Sequence, residues 1–499
     1  MRTNMRHQKN YYYYIQTLVL LIVTVFIQSY NMNTPLWLDE IYSVHIGRKD
    51  FLSIIQNSLS DAHPPLFYLT IHIITNYLKF NNEIGLRFVS LFSSIFTVLI
   101  LTSLTTRLAN SLIGFTVGII TATLPLLVFY SQEVRSYALL VMLASLSTWI
   151  TIDILDGCSQ RRIPWIGWIS INMFGILAGY AYLMVAFVQL LFLGYYYSRS
   201  LYWLIAAIIT CCTSLIILPF LFSSIIPVAS AHRNSMPLTF WFTLQVLLAG
   251  DPLRYKMSFS HVFLPTVALG IMIFTSIRGL IRRDLKVTFL ITQVAAPISS
   301  FFMISPLIGI RLPLSEAKQF IVLLPAVLCL IAIGLRDIAQ QKKGLILALF
   351  LSGLFVICNG IGLQSYYTYP KSPEGLTVQR LREKLHPTES VVSLHYSINY
   401  ALWFYMPDTF VFYNPVKIED TYWYRYDKSS AILDPDQTSG DMRSIEEIRS
   451  NKTFWILANK HAYRESLPPL IRECIITEQD TFSANHGAFE IIHVRCDKD

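Results

Sequence analysis

The stretch Leu66-Phe67-Tyr68-Leu69-Thr70-Ile71-His72-Ile73-Ile74-Thr75-Asn76-Tyr77-Leu78-Lys79-Phe80 is apolar but interrupted by His72, Asn76 and Lys79. Crossing about 30 Å of hydrocarbon takes roughly 20 apolar helical residues, because every backbone polar group must be satisfied inside the segment. The stretch is too short for that and reads as an interfacial or re-entrant helix. This choice fixes the sidedness of the chain. With Leu66 to Phe80 excluded as a span, the short basic connections at Arg107, at Arg161 and Arg162, at Arg199, at Arg278 through Lys286 and at Arg336 through Lys343 share the side of the N-terminus. Counting it as a span would put most of them outside, against the bias of Lys and Arg toward cytoplasmic loops.

About eleven apolar runs have spanning length. They fall near 13–30, 87–106, 112–130, 137–155, 164–181, 182–198, 202–226, 262–278, 288–305, 319–335 and 344–363. Arg2, Arg6 and Lys9 precede the first, which lacks a small-x-small cleavage site and reads as an uncleaved anchor with its N-terminus inside. The composition agrees: 54% of the 499 residues are hydrophobic, 14% are charged and the mean hydropathy is +0.48, which excludes a water-soluble enzyme. The net charge of +8 does not imply nucleic acid, because the basic residues punctuate the ends of apolar runs and form no stripe.

Three polar stretches fall on the non-cytoplasmic side: Asn31 to Leu86, Pro227 to His261, and everything after Leu363. In the last, charges and prolines return, and β-type runs stand at Ser390 to Leu394, Thr409 to Tyr413, Thr453 to Ala458 and Phe489 to Val494. Arg380 to Leu385 and Ile445 to Ser450 read as its helices. The expected fold is a polytopic α-helical membrane domain over 1–363, with juxtamembrane helices in the first outer loop, followed by a soluble extracytoplasmic α/β domain over 364–499. Of the seven cysteines, five lie within or beside the apolar region without a CxxC pair, leaving Cys474 and Cys496 as the two that suit a disulfide.

In a transporter, ionisable residues should interrupt the spans near the midplane. These spans are nearly free of charge, and the charged groups gather at outer helix ends and in the first outer loop. Leu36-Trp37-Leu38-Asp39-Glu40 follows the first span as an adjacent carboxylate pair, whose mutual repulsion suits one member to accept a proton; a solvated acidic loop is the plainer reading. Asp61-Ala62-His63-Pro64-Pro65 is a proline-fixed turn presenting His63 at the interface. Tyr130-Ser131-Gln132-Glu133-Val134-Arg135-Ser136-Tyr137 is a brief polar break between two spans, read as exposed at the headgroups, where an ion pair adds only about 0 to 1 kcal/mol to stability. Arg311 and Ser315-Glu316-Ala317-Lys318-Gln319-Phe320 lead into the tenth span, where a lysine most often serves as a snorkelling anchor.

Taken in order, the Asp39-Glu40 pair, the His63-Pro64-Pro65 turn, the Tyr130 to Tyr137 stretch and the basic start of a late, Pro325-containing helix resemble the GT-C glycosyltransferases. Within that superfamily the chain is most similar to the bacterial branch related to protein O-mannosyltransferases and lipid A aminoarabinose transferases. The resemblance covers the first 200 residues well, the tenth span moderately and the C-terminal region only in position. Two departures stand out: Gly179-Tyr180-Ala181-Tyr182 replaces a common His-Tyr pair, and Lys318-Gln319 replaces a common Arg-Tyr, which keeps the charge but loses the bidentate fork for phosphate.

The resemblance implies an inverting transferase in the bacterial inner membrane, its partners being a polyprenyl-phosphate-linked sugar and an acceptor glycan, lipid or protein. A phosphodiester leaving group is weakly basic, so one base and some positive charge suffice. Asp39 is the implied base, with Glu40 tuning it or orienting the acceptor. His63, Glu133, Arg135, Tyr137, Arg311 and Lys318 are the implied donor phosphate and sugar contacts. The resemblance leaves a divalent cation open, Asp39, Glu40 and Glu133 being the carboxylates available to one. The rival classes are a lipid-linked glycan ligase or polymerase, a flippase, and a non-catalytic scaffold. A ligase would centre on an Arg-rich late loop, whereas Pro227 to His261 holds only Arg233, Arg254 and Lys256.

Overall fold

The computed structural model describes residues 2–60, 63–231, 239–251, 259–307, 314–368, 371–386, 389–393, 396–406, 411–413, 453–459, 474–484 and 487–496. The chain forms two compact units: one of Met1–Met32, Ser58–Thr70 and Arg87–Tyr367, the other of Asn33–Asn57, Ile71–Leu86 and Thr368–Asp499.

The first unit is a helical bundle. Seven helices among the described residues are long and apolar enough to cross a bilayer, and the bent pair Ser111–Ala122 and Pro125–Ser131 would make an eighth. The runs at 13–30, 164–181 and 182–198 are also helical, as Arg2–Ser29, Arg162–Ala178 and Tyr182–Tyr197. The protein is therefore an integral membrane protein. Leu66 to Phe80 forms a helix over Leu66–His72 and a π-turn over Ile73–Tyr77, well short of a span. Lys79, at a φ of 59°, ends it in the left-handed region.

One run departs from the sequence expectation. The apolar stretch 112–130 is not a continuous helix; its two halves meet at 59°. Pro125 has no N–H to continue a ladder and sits at the first turn of the second half, with Leu124 extended before it. The bend leaves the Ile120 carbonyl without its regular helical partner, and Asn359 Nδ2 donates to it at 3.1 Å and to Thr123 Oγ1 at 3.1 Å. The expected outer loop 227–261 also contains more than loop: Phe240–Ala249 is a largely buried helix packed on Ser260–Ile281 and on the 3₁₀ segment Leu314–Leu323. That segment continues into Leu324–Ala339, which is buried almost throughout. Gly334 lets this helix approach Ser260–Ile281 closely, since a Cβ there would stand 2.4 Å from Thr275 Oγ1.

The basic connections meet carboxylates at one end of the bundle. Arg107 pairs with Asp153 and, at 2.6 Å, with Asp156, which Lys286 also reaches at 2.7 Å. Buried Asp337 is shared by Arg278, Arg282 and Arg336, and Arg336 also donates to the Leu108 carbonyl at 2.7 Å.

The second unit combines the first loop with the C-terminal region. Its sheet has the order β2-β1-β3-β5-β4, with β1 Ser390–Ser393, β2 Val411–Tyr413, β3 Thr453–Asn459, β4 Ile475–Ala484 and β5 Gly487–Arg495. β1 is parallel to β2 and β3, while β5 is antiparallel to β3 and β4. Phe454, Ile456 and Ala458 alternate onto one face and pack with Val392, Ile492 and Val494. The Cys474–Cys496 disulfide forms as expected and ties the start of β4 to the end of β5. The helix expected over Arg380 to Leu385 spans Pro373–Lys384, capped by Ser372. The one expected over Ile445 to Ser450 lies outside the described residues. The sequence reading missed β4, an exposed edge strand of mostly polar residues, and the helix Tyr396–Tyr405, rich in aromatic residues.

Candidate functional site

The residues singled out in the sequence are divided between the two units. In the first unit, the helix Pro125–Ser131 ends just before Gln132, and Tyr137–Leu155 begins five residues later, leaving a non-helical break between them. Gln132 pins that break. Its Nε2 donates to the Gln28 carbonyl at 3.0 Å and the Tyr30 carbonyl at 2.9 Å, and its Oε1 accepts the Tyr366 hydroxyl at 2.7 Å. Ser90 Oγ donates to the Arg135 carbonyl at 3.2 Å. The break is thereby drawn into the bundle: Glu133 is 1% exposed, and Val134 and Ser136 are buried with it. This corrects the expectation of an exposed headgroup segment. The polar run is held inside because backbone carbonyls of the first helix need donors there, which Gln132 supplies.

Tyr137 is the point where separate segments meet. Its ring lies 4.4 Å from that of Tyr130, the His63 ring stands against it at 6.4 Å and 86°, and Lys318 Nζ lies 6.0 Å from its centroid. Residues 63, 137 and 318 are remote in sequence, so their convergence is tertiary. An ammonium over a tyrosine face is held by the ring quadrupole, worth about 0.5 to 2 kcal/mol depending on desolvation. A positive charge, an imidazole and two phenolic rings together suit an anion attached to an apolar or sugar moiety. Arg311 lies outside the described residues, as do Asp61 and Ala62.

Tyr182, in the departing Gly179 to Tyr182 stretch, is wholly buried and donates to the Leu143 carbonyl at 3.1 Å. It locks two helices together.

In the second unit, Trp37 is the extended N-cap of the helix Leu38–Gly47, and the Trp37 N–H donates to Glu40 Oε2 at 3.2 Å. Glu40 is fully buried, whereas Asp39, in the same first turn, is half-buried. One adjacent carboxylate thus closes the helix start and the other is left more open. A carboxylate in the first turn is favoured by the helix N-terminus, which stabilises negative charge. The Leu36 N–H donates to the Tyr405 hydroxyl at 2.7 Å, and Ser372 Oγ donates to the Leu36 carbonyl at 2.8 Å. Burial pushes the Tyr405 phenol well up, so it stays protonated and donates to Glu83 Oε1 at 3.2 Å. Tyr42 and His45 meet Tyr400 and Trp403 edge-on at 6.4 and 4.7 Å. Sequence reasoning passed over Gln132, Ser372 and Tyr405; a lone Gln between two recognisable residues, a Ser before Pro373 and one Tyr among many carry no signal by themselves.

Among the described residues no group of three His, Cys, Asp or Glu side chains is gathered as a metal set. Asp39 and Glu40 lie in the second unit and Glu133 in the first, and one Glu40 oxygen accepts the Trp37 N–H.

No family model matches the sequence, and no curated protein matches it. Solved structures do. ArnT from Cupriavidus metallidurans in the apo state has a TM-score of 0.61 at 12% identity, over 97% of this chain and 98% of that one. The same protein bound to undecaprenyl phosphate gives 0.58 at 11%, over 96% and 97%. The oligosaccharyltransferase AglB from Archaeoglobus fulgidus, in complex with an inhibitory peptide and a dolichol-phosphate, gives 0.53 at 11%, over 90% of this chain and 69% of that one. At these identities the likeness is one of fold: the chain shares the architecture of these structures, and the polytopic helical, GT-C-like fold with a small C-terminal sheet that the ordered motifs led us to expect is the fold observed.

Proposed function

We propose that the protein is a GT-C glycosyltransferase that moves a sugar from a polyprenyl-phosphate donor to an acceptor hydroxyl at the extracytoplasmic face of the bacterial inner membrane, with its N-terminus cytoplasmic. Residues 1–363 form the catalytic membrane domain and 364–499 an extracytoplasmic domain. The observation that carries the reading is the convergence of His63 and Lys318 on Tyr137, beside the buried Glu133 break, in a fold shared with ArnT bound to undecaprenyl phosphate and AglB bound to a dolichol-phosphate.

In this reading the acceptor oxygen attacks the anomeric carbon while the bond from that carbon to the phosphate oxygen breaks. Asp39 takes the acceptor proton, the configuration inverts, and polyprenyl phosphate leaves with the electron pair. The leaving phosphate needs charge stabilisation more than a protonating acid, a role for Lys318 and Arg135, with Arg311 assigned from the sequence alone. His63 donates to the phosphate or sugar, Tyr137 holds Lys318, and Glu133 orients Arg135 or the sugar. A lipid-linked glycan ligase or polymerase is the nearer alternative and a flippase the more distant; neither calls for a carboxylate in an open first helical turn.

The test is incubation of the purified protein with a panel of undecaprenyl-phosphate sugars carrying mannose, glucose, arabinose or aminoarabinose, with and without Asp39→Asn. Turnover of one donor, abolished in the folded variant, is the expected result. Wild-type turnover by the variant ends the base assignment.

A further inference from the structure

The chain that delivers Asp39 is held from outside its own segment. Leu36 is fully buried, and both polar groups of this one residue are bonded by side chains more than three hundred positions away: its N–H by the Tyr405 hydroxyl at 2.7 Å and its carbonyl by Ser372 Oγ at 2.8 Å. Each partner is itself fixed. Tyr405 donates onward to Glu83 Oε1 at 3.2 Å, and Ser372 Oγ, as N-cap, accepts the Gly375 N–H at 3.0 Å. The first turn of Pro373–Lys384 lies directly on this chain, since a Cβ at Gly375 would stand 2.5 Å from Pro35 Cβ and 3.1 Å from the Leu36 carbonyl oxygen. The next N–H, that of Trp37, goes to Glu40. Three consecutive hydrogen-bonding groups, at Leu36 and Trp37, therefore have assigned partners just ahead of Leu38 and Asp39.

Such a device exceeds what tethering a loop requires. Ordering one residue's backbone costs about 1 to 2 kcal/mol, and an untethered stretch before the helix would spread the first-turn carboxylates over many positions. Group transfer punishes that spread, because a catalytic side chain must stay within about 0.5 Å of its productive position. Glu40 ties the helix start to itself, and Ser372 and Tyr405 tie the chain before it to the rest of the unit by side-chain hydrogen bonds at Leu36.

We propose that Ser372 and Tyr405 are positioning residues: they clamp the two faces of Leu36 and thereby aim the Asp39 carboxylate, giving the C-terminal segment a direct part in the chemistry. The proposal rests on Asp39 being the base. It predicts that loosening the clamp slows the chemical step without weakening donor binding, because the groups assigned to the donor lie on other segments.

The test uses the full-length protein in nanodiscs and the undecaprenyl-phosphate sugar that wild type turns over, comparing Tyr405→Phe, Ser372→Ala and Ser372→Thr. Tyr405→Phe should lower kcat about 10- to 100-fold with KM for the donor held within about twofold. Amide exchange of 36–40 should rise about tenfold or more while β3 and β5 stay protected. Ser372→Ala should behave alike, and Ser372→Thr, which keeps the hydroxyl, should recover most of the rate. Wild-type kcat in Tyr405→Phe, or unchanged exchange at 36–40, overturns the clamp. So does a matched loss of protection across the sheet, which would mark a merely structural tie. If Asp39→Asn turns over normally, the base reading fails first and the proposal with it; if Asp39→Asn is dead and Tyr405→Phe is unimpaired, only the clamp fails.

Discussion

Lys318 Nζ lies 6.0 Å from the centroid of the Tyr137 ring, although the two residues come from segments far apart in the sequence, the 3₁₀ segment Leu314–Leu323 and the start of Tyr137–Leu155. The contact gives the late basic residue a defined location, where a lysine that merely snorkelled would extend to the nearest water. Lys318→Ala should lower kcat/KM for the lipid-linked donor about 100-fold, and Tyr137→Leu about tenfold, if the charge stabilises departing phosphate. Lys318→Arg should retain much of the rate, since it keeps the charge and stacks on a ring at least as well. Steady-state kinetics of the three variants checks the order; equal activity of Lys318→Ala and wild type would remove Lys318 from the site.

Gln132 is the structural pivot of the polar break. Gln132→Ala would take one donor from the Gln28 carbonyl, which keeps Ser131 Oγ at 3.5 Å, one from the carbonyl of half-exposed Tyr30, and the acceptor from the hydroxyl of buried Tyr366. Each stranded buried group costs about 1 to 3 kcal/mol. The variant should unfold at a clearly lower temperature in detergent and lose transfer activity, whereas Gln132→Glu should keep the Tyr366 bond and lose the two donated ones. Thermal unfolding of the three proteins measures this directly.

The membrane architecture was legible because its cause is local: a run such as 344–363 must be helical wherever it lies in lipid, and Leu66 to Phe80 is too short whatever surrounds it. The cysteine pair was legible by elimination among seven. What escaped was set by partners remote in sequence. Tyr396–Tyr405, which the sequence reading leaves without an element, is a helix whose Tyr400 and Trp403, three positions apart, meet Tyr42 and His45 with the same spacing. Glu133 reads as exposed because it stands in a polar break between two spans, and it is buried because Gln132 and Ser90 draw the break inward. Asp39 and Glu40 are adjacent carboxylates in sequence; in the structure Glu40 is fully buried and accepts the Trp37 N–H, whereas Asp39 is half-buried.

That distinction predicts different phenotypes for the two carboxylates. Glu40→Gln preserves an acceptor for the Trp37 N–H and should keep most of the activity. Glu40→Ala removes the cap, should cost about 1 kcal/mol of stability, and should lower transfer severalfold through disorder of the first turn. Asp39→Asn should instead abolish transfer with unchanged thermal stability. Parallel unfolding and transfer assays separate the two patterns, and a Glu40→Gln variant as inactive as Asp39→Asn would assign Glu40 a chemical role.

Glu389 makes the C-terminal sheet sensitive to acid. Burial alone would raise its carboxyl, but the His386 N–H at 3.1 Å, Trp455 Nε1 at 2.8 Å and His493 Nε2 at 2.9 Å outweigh it and hold the group below the usual carboxylate range. A depressed carboxylate contributes stability that is fully present above its unfolded value, about 4.3, and is lost as pH falls through the lower folded value. The sheet should therefore lose stability progressively below about pH 4.3. Glu389→Gln should flatten that acid slope while lowering stability near neutrality, where the charge-assisted bonds are intact. Trp455 reports the change, because its indole donates to Glu389 and its ring lies 4.5 Å from that of His493. Near-ultraviolet circular dichroism against pH, on wild type and variant, measures both slopes; parallel slopes would show that other carboxylates govern the acid limb.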